Sequence, residues 1–292
     1  MKTRRADFAG SWYPGGESDC KKTIENFTRM DIPCASPNET PVGGIVPHAG
    51  WYFSGEIACN VIRCLKEGAD PDSLIIFGHH LHPGSDSYIM KEGRWATPFG
   101  DLEIDDEVAA TLIDEFAFSV ETTADYEQDN TIELQLPFIK HFFPATKIVP
   151  MGLPPRLESL KVARRAAKIS TEMGRSTIVV GSTDLTHYGY NYGFTPRGVG
   201  EDAVEWVKKS NDKRIVDIIL GMDEERVIKE SLESRNACCG GAAGAAIAAA
   251  KELGAVKAKK TTYSTSYDVR PDTSFVGYVG IVFYRNRQAS GS

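Results

Sequence analysis

The sequence has no run of about 18 consecutive apolar residues, the length that a membrane-spanning helix requires, so we expect no membrane segment. Segment 1–10 is basic, but it lacks the apolar stretch of a secretory signal. Basic residues are not in excess either, because 33 Lys and Arg stand against 40 Asp and Glu, a formal net charge of −7. Binding to nucleic acid, which needs a basic surface, is therefore not expected.

Cysteine is also scarce for a chain of 292 residues. The six cysteines lie at positions 20, 34, 59, 64, 238 and 239. This density is too low for a fold that depends on disulfides, so we expect reduced thiols and a cytoplasmic protein. Apolar residues make up 41% of the chain and charged residues 25%, as in ordinary globular proteins, and the length allows one large domain or two.

Apolar runs of strand length alternate along the chain with segments of helical periodicity. Strands are predicted at 42–47, 73–78, 146–151 and 176–182, and helices at 17–30, 55–67, 105–116, 156–173 and through most of 200–234. The last two strands, 259–268 and 275–284, are expected to be antiparallel. The proline-rich segment 31–41 indicates a surface linker, and Pro137 is expected to kink or interrupt the helix that begins near 129. The pattern predicts an α/β fold whose central sheet is mixed, mostly parallel and flanked by helices.

Three of the predicted strands end in histidine or carboxylate side chains. In chain order these are His48, then His79, His80 and His82, then Asp184 and His187. The carboxyl ends of neighbouring parallel strands lie at one edge of a sheet, so we expect these side chains to meet. Imidazole and carboxylate groups suit iron, zinc, copper or nickel. A hydrogen-bonded turn explains each histidine alone better than a functional role does, but the group together favours a metal or acid–base site.

Cys238 and Cys239 precede two glycines and an alanine-rich helix. A cysteine at a helix N-terminus has a lowered pKa and serves as a thiolate ligand or a nucleophile, and Cys239 matches this position. Both cysteines are also compatible with small buried side chains. If Cys239 is a nucleophile, His187 is the candidate base of a cysteine hydrolase, but this hypothesis leaves His48 and the histidines at 79–82 without a role.

Six short motifs occur along the chain in an informative order. They lie at 9–13 (AGSWY), 47–50 (PHAG), 95–100 (WATPFG), 129–138 (DNTIELQLPF), 182–189 (STDLTHYG) and 239–240 (CG). Together they resemble the Memo family, known in bacteria and archaea as AmmeMemoRadiSam system protein B. The resemblance implies one Memo-like α/β domain over 1–292, with a core at 6–284 and a polar tail at 285–292. The family's fold is similar to that of class III extradiol dioxygenases, which use non-haem Fe(II).

The resemblance implies a metal ion bound by His48, by one histidine of segment 79–82 and by Cys239. The spacing leaves the second histidine open. Counting back from the downstream tryptophan motif favours His80, whereas counting forward from the preceding strand favours His82. His80 is our prediction, with His82 as the alternative. Fe(II) is the first candidate ion, and copper and zinc are the other candidates.

Asp184 and His187 are expected to line the same pocket as catalytic residues. His187 would act as acid or base, because histidine exchanges protons near neutral pH, and Asp184 would orient an imidazole or accept a proton. The motif at 129–138 carries Asn130 where the family has a histidine. Asparagine donates hydrogen bonds but does not transfer a proton near neutral pH, so we expect no acid–base role at this position.

These features lead to two main functional hypotheses. The first is a metal-dependent oxidoreductase, similar to a non-haem Fe(II) dioxygenase, that acts on a small aromatic or conjugated molecule. The alternative is a non-catalytic metal- or peptide-binding module that uses the same pocket, since Memo itself is described as a metal-binding redox protein and as a phosphotyrosine-peptide binder. Aromatic residues near the pocket suit either ligand stacking or packing; they are Trp12, Tyr13, Trp51, Tyr52, Phe53 and Tyr188. The resemblance also implies partner proteins of the AmmeMemoRadiSam system.

Overall fold

The computed structural model describes residues 2–29, 32, 34–68 and 70–287. The strands are β1 (Thr3–Arg4), β2 (Glu39–Val46), β3 (Ser73–Gly78), β4 (Tyr88–Met90), β5 (Arg94–Trp95), β6 (Leu102–Glu103), β7 (Ser119–Glu121), β8 (Lys147–Gly152), β9 (Thr177–Ser182), β10 (His187–Tyr188), β11 (Lys257–Thr265) and β12 (Phe275–Asn286). The helices are α1 (Glu17–Phe27), α2 (Trp51–Leu65), α3 (Asp106–Glu115), α4 (Asn130–Glu133), α5 (Leu136–Phe142), α6 (Leu157–Glu172), α7 (Glu201–Trp206), α8 (Asp212–Leu220), α9 (Glu224–Ser234), α10 (Gly240–Glu252) and α11 (Ser266–Val269).

Nine of the described strands form one large sheet in the order β10, β12, β2, β9, β3, β8, β4 and β7, with β11 paired along β12. The central strands β2, β9, β3 and β8 are parallel. Antiparallel pairs flank them, since β12 runs against β2 and β4 runs against β8. The predicted mixed α/β sheet is confirmed, but parallel pairing is limited to the centre and to the outer β4–β7 pair. A small second sheet contains β1, β5 and β6.

Strand β3 shows how the helices cover both faces of this sheet. Successive side chains of a strand point to opposite faces. Accordingly, Ile75 and Phe77 pack in the apolar core that contains α6 and α10, whereas Leu74 and Ile76 pack in the core that contains α2 and α5. A parallel strand buried on both faces is apolar throughout, and this explains why the predicted range 73–78 matches the observed one.

Helix α10 packs directly on the sheet, and its first eleven residues, 240–250, are buried glycines, alanines and one isoleucine. A Cβ atom added at Gly181 of β9 would lie 2.6 Å from the Ala246 side chain, so a larger residue there would push the helix away. Helix α10 contacts β9, β2 and β3. Its N-terminus is thereby placed near the carboxyl ends of these three strands.

Several element boundaries differ from the prediction. Helix α2 begins at Trp51, before the predicted start at 55, and β2 begins at Glu39 inside the predicted linker 31–41. Positions 31 and 33 of that linker lie outside the described residues. The predicted interruption near Pro137 is confirmed, because α4 ends before it and Pro137 lies in the first turn of α5. A π-helical turn at Val207–Asn211 joins α7 to α8 and was not predicted.

The expectation of reduced thiols throughout is wrong for one pair, because Cys34 and Cys64 form a disulfide. The pair connects the segment before β2 to the last turn of α2, two places whose proximity depends on the tertiary fold. In the predicted polar tail at 285–292, Asn286 still belongs to β12, and 288–292 lie outside the described residues. Every helix in the described ranges is too short or too polar to span a bilayer.

Candidate metal centre

Four side chains with metal-binding atoms converge where β2, β3 and α10 meet. The donor atoms of His48, His80, Cys238 and Cys239 all lie within 4.8 Å of one another. His48 and Cys239 are buried, Cys238 is partly buried, and His80 is exposed on the open side of the group. Of the predicted ligands, His48, His80 and Cys239 are therefore together, and Cys238 joins them.

The hydrogen bonds around His48 leave its Nε2 atom available to bind an ion. The Ser182 hydroxyl donates to the carbonyl oxygen of Thr131 at 2.7 Å, so its oxygen accepts from Nδ1–H of His48 at 3.0 Å. Nε2 is then the free position, and it lies 3.3 Å from the Cys238 sulfur. Burial by itself lowers the pKa of His48, but Asp184 and Cys238 outweigh it and raise this pKa to about 9. A bound metal ion would replace the proton on Nε2.

The two cysteine sulfurs lie 3.6 Å apart, and their pKa values are shifted in opposite directions. Burial acts to raise the pKa of Cys238, but the Cys239 thiol, His48 and His80 together hold that pKa well below its usual range. The main-chain N–H of Asp184 also donates to the Cys238 sulfur at 3.3 Å. Burial and the neighbouring Cys238 raise the pKa of Cys239. The surroundings thus lower the pKa of Cys238 and raise that of Cys239.

Asp184 lies directly beside His48. Its Oδ1 accepts the main-chain N–H of His48 at 2.7 Å, and its Oδ2 lies 3.9 Å from His48 Nε2. Burial raises the pKa of Asp184, an effect that His48 only partly opposes. The carboxyl group therefore holds the strand end that carries His48 and places negative charge next to its ring.

His187 lines the pocket wall rather than the four-donor group. Its Nδ1 lies 3.2 Å from the carbonyl oxygen of Leu185, and its ring meets Tyr192 edge-on at 4.9 Å. Among the described residues, Cys239 has hydrogen bonds to Cys238 and Thr183 and none to His187. The nucleophile–base contact that a cysteine hydrolase needs is therefore missing from the described contacts.

The other two histidines of segment 79–82 lie outside the four-donor group. His79 has a left-handed backbone (φ 65°), and its buried ring stacks on Tyr88 at 5.4 Å. Its main-chain N–H donates to the Thr131 hydroxyl at 2.7 Å, which fixes this uncommon turn. The turn directs His80 toward His48, with ring centroids 4.9 Å apart. His82 is exposed, and its ring accepts the N–H of Gly84.

A cavity of about 580 Å³ opens above His48 and His80. Aromatic side chains form much of its wall, namely Trp12, Tyr52, Phe53, Tyr192 and Tyr278. Of the aromatic residues predicted near the pocket, Tyr13, Trp51 and Tyr188 are instead buried in the core. Asn130 also lines the cavity, and its amide donates to the carbonyl oxygen of His48 at 3.0 Å, a structural contact that needs no proton transfer.

Sequence reasoning missed Cys238 and Ser182 as parts of the site. The signal for Cys238 was its place beside Cys239 at the start of a helix, but the sequence could not tell which sulfur faces the histidines. Ser182 is the last residue of β9, and only the sheet order places it next to His48. Tyr192 and Tyr278 carried no signal, because they come from a 3-10 turn and from the middle of β12.

Comparisons with known proteins agree with the motifs. A model of the Memo-like protein family matches residues 4–282. The chain is 32% identical over 287 residues to the MEMO1 family protein of Pyrococcus horikoshii, covering 95% of this chain and 98% of the relative. The MEMO1 family protein of Pyrococcus abyssi is 33% identical, and the match covers 95% of this chain and 98% of the relative. The MEMO1 family protein of Nitrosopumilus maritimus is 31% identical, and the match covers 96% of this chain and 99% of the relative.

A solved structure is similar in fold alone. It is the crystal structure of an uncharacterized protein from Escherichia coli K12, with a TM-score of 0.53 and 9% sequence identity, covering 83% of this chain and 99% of that one. The family match and the relatives, in contrast, span almost the whole chain at more than 30% identity. On these grounds the chain belongs to the Memo-like family.

Proposed function

We propose that the chain is a metal-dependent oxidoreductase that acts on a small aromatic or conjugated molecule, with a fold and chemistry similar to those of class III extradiol dioxygenases. One observation carries this proposal: four metal-binding side chains converge, and two of them, His48 and His80, line a cavity of about 580 Å³ with aromatic walls. Such a cavity has the volume that small-molecule sites usually have. A candidate metal ion and a candidate substrate would therefore lie next to each other.

The donor groups suit a transition metal. Imidazole nitrogen binds iron, copper and zinc well, and cysteine sulfur favours the softer ions among them. We propose Fe(II) as the first candidate, with copper and zinc as the other candidates. His48, His80 and the cysteines would hold the ion, which when bound supplies Lewis-acid and redox chemistry at this point.

The remaining residues would position the substrate and move protons. Trp12, Tyr52 and Phe53 offer faces on which an aromatic ring can stack. His187 on the cavity wall is the proposed acid or base. Asp184 would keep His48 in place through its contact with the main-chain N–H and would add negative charge beside the ring. These roles are the catalytic assignments proposed for Asp184 and His187.

A second function, a peptide- or ligand-binding module, has one observation in its favour. Tyr52 is 73% exposed and Trp12 is 42% exposed at the cavity mouth, so apolar surface faces solvent there. Exposed aromatic residues around a cavity are typical of binding sites for other molecules. Under this alternative, the same pocket binds a partner, including proteins of the AmmeMemoRadiSam system, without catalysis.

We also propose a cytoplasmic location, supported by the free thiols of Cys20, Cys59, Cys238 and Cys239. The disulfide between Cys34 and Cys64 is the feature that argues against it. Quenching intact cells in acid and then alkylating the free thiols in denaturant, which exposes the buried Cys34 and Cys64, tests this point. Labelled Cys34 and Cys64 would support a reducing compartment, and protected ones would contradict it.

The main experiment measures bound metal and oxygen consumption in anaerobically purified, Fe(II)-loaded protein. Wild type is compared with His48→Ala and with His141→Ala, a control histidine on α5 outside the site. We expect stoichiometric iron in wild type and in the control, loss of iron in His48→Ala, and oxygen uptake when catechol-like compounds are added. Equal iron in all three proteins would refute the metal centre. Bound iron without any oxygen uptake would support the binding module instead.

A further inference from the structure

Cys238 and Cys239 face the same pair of histidines with separations that suit one ion. A tetrahedral metal lies about 2.3 Å from sulfur and about 2.0 Å from histidine nitrogen, which places two sulfurs about 3.8 Å apart and sulfur and nitrogen about 3.5 Å apart. The observed values are 3.6 Å between the two sulfurs and 3.3 Å between Cys238 Sγ and His48 Nε2. The two donor atoms that lie farthest apart, at up to 4.8 Å, would need to move about 1 Å closer together when the ion binds.

The main chain holds both cysteines in this position. The N–H of Cys238 donates to the carbonyl oxygen of Asp184 at 3.1 Å, and the N–H of Cys239 donates to the Thr183 hydroxyl at 3.1 Å. Two residues on, a Cβ atom at Gly241 would lie only 2.1 Å from a main-chain oxygen of the loop after β8, so α10 begins in tight contact with its surroundings. Ligands held in this way lose little entropy when an ion binds.

The position of Cys239 favours a ligand role. Its sulfur lies within 4.8 Å of the three other donor atoms, and the Asp184 carboxyl group lies beside the same group, with Oδ2 3.9 Å from His48 Nε2. Cys239 is also the N-cap residue of α10, and the positive end of a helix favours a negatively charged ligand there. Cysteine binds a metal ion as the thiolate, so binding would release the proton of each thiol. Packing as a small buried side chain explains the burial of Cys239 but not its place among three other donor atoms.

We propose that Cys238 and Cys239 bind one metal ion together and complete, with His48 and His80, a set of two thiolates and two imidazoles. This inference rests on the proposed metal centre and specifies its chemistry. A second thiolate favours thiophilic ions such as zinc, Cu(I) and Co²⁺. An iron ion held by four protein atoms also keeps fewer open positions than one held by three.

The test uses Co²⁺, whose absorption reports the number of bound thiolates. Co²⁺ is titrated anaerobically into wild type, Cys238→Ala, Cys239→Ala and Cys59→Ala, the last a control in which another buried free cysteine is removed. We expect each variant of the pair to keep about half of the thiolate-to-cobalt band, since one of two sulfur ligands is lost, and Cys59→Ala to match wild type. Zinc affinity should fall at least about 100-fold in both variants of the pair.

Full band intensity and zinc affinity in Cys239→Ala would overturn the inference and leave a centre with one thiolate. Thermal melting shows whether each variant is folded, and Cys239→Ser, which keeps the size of the side chain, replaces Cys239→Ala if the alanine protein unfolds. The proposed function fails in a different way: wild type would show no thiolate band, or His48→Ala would bind Co²⁺ as wild type does.

Discussion

Asp212 is a buried carboxyl group whose raised pKa should make the stability of the fold depend on pH. It lies at the start of α8, beneath the segment that carries His187. Its Oδ1 accepts the N–H of Thr186 at 3.0 Å and the Thr186 hydroxyl, and its Oδ2 accepts the Tyr263 hydroxyl at 2.8 Å. Within the described residues no Lys, Arg or His forms an ion pair with it. Burial therefore prevails over these hydrogen bonds and raises the pKa of Asp212 from 3.8 to about 7.

A raised carboxyl pKa means that the folded state binds a proton that the unfolded chain releases. The stability from protonated Asp212 is fully present below the unfolded pKa of 3.8 and is lost as the pH rises to about 7. At about 1.36 kcal/mol per pKa unit, the difference between these two pKa values corresponds to about 4 kcal/mol of unfolding free energy. Asp212→Asn keeps the size and does not titrate. The variant should therefore gain about 4 kcal/mol in unfolding free energy relative to wild type between pH 4 and pH 8.

Urea unfolding at steps of pH from about 4 to 8, followed by tryptophan fluorescence, measures this difference. The matched control is Asp217→Asn, an exposed aspartate on the same helix that pairs with Lys213. Its difference from wild type should stay nearly constant over this range, because exposed pairs contribute little. If the difference between wild type and Asp212→Asn is also constant with pH, Asp212 is not protonated on folding and the reasoning is refuted.

Three further predictions concern the site and the covalent cross-link. His80→Ala should lower the amount of bound metal at least about 10-fold, whereas His82→Ala should leave it unchanged, because only the His80 ring lies in the four-donor group. Metal analysis of both variants after dialysis measures this difference. Gly241→Ala should destabilise the fold by about 1–3 kcal/mol, seen as a lower melting temperature, because its Cβ atom would overlap a main-chain oxygen. Reducing the Cys34–Cys64 disulfide, which spans 30 residues, should lower the unfolding free energy by about 3–4 kcal/mol, measured by urea unfolding with and without reductant.

Sequence patterns predicted the fold well where one residue type dominates. The strand at 73–78 was predicted with its observed bounds, because a strand buried on both faces is a continuous apolar run. The start of α10 was predicted from its glycines and alanines. The disulfide was not predictable, since it depends on contacts between distant parts of the chain rather than on local pattern. The π-helical turn was not predicted either.

The candidate site was predicted in its residue types but not in its arrangement. That His80 and not His82 lies near His48 depends on the left-handed backbone of one residue, His79, which no spacing argument reveals. That the Cys238 sulfur lies 3.3 Å from His48 Nε2 depends on how α10 begins. The resemblance to the Memo family indicated which residues lie near one another, whereas the distances between them depend on tertiary contacts.

The sheet order has a consequence for how the newly made chain folds. Strand β9 lies between β2 and β3, although it follows both of them in the chain by a long interval. Until residues 177–182 leave the ribosome, β2 and β3 have edges with no partner between them, and direct pairing of the two is the obvious competing structure. Parallel pairing over such distances is slow and exposes apolar edges. We therefore expect truncated chains that end before β9 to aggregate or to recruit chaperones, and the His48–His80 pair to form only after β9 has been inserted.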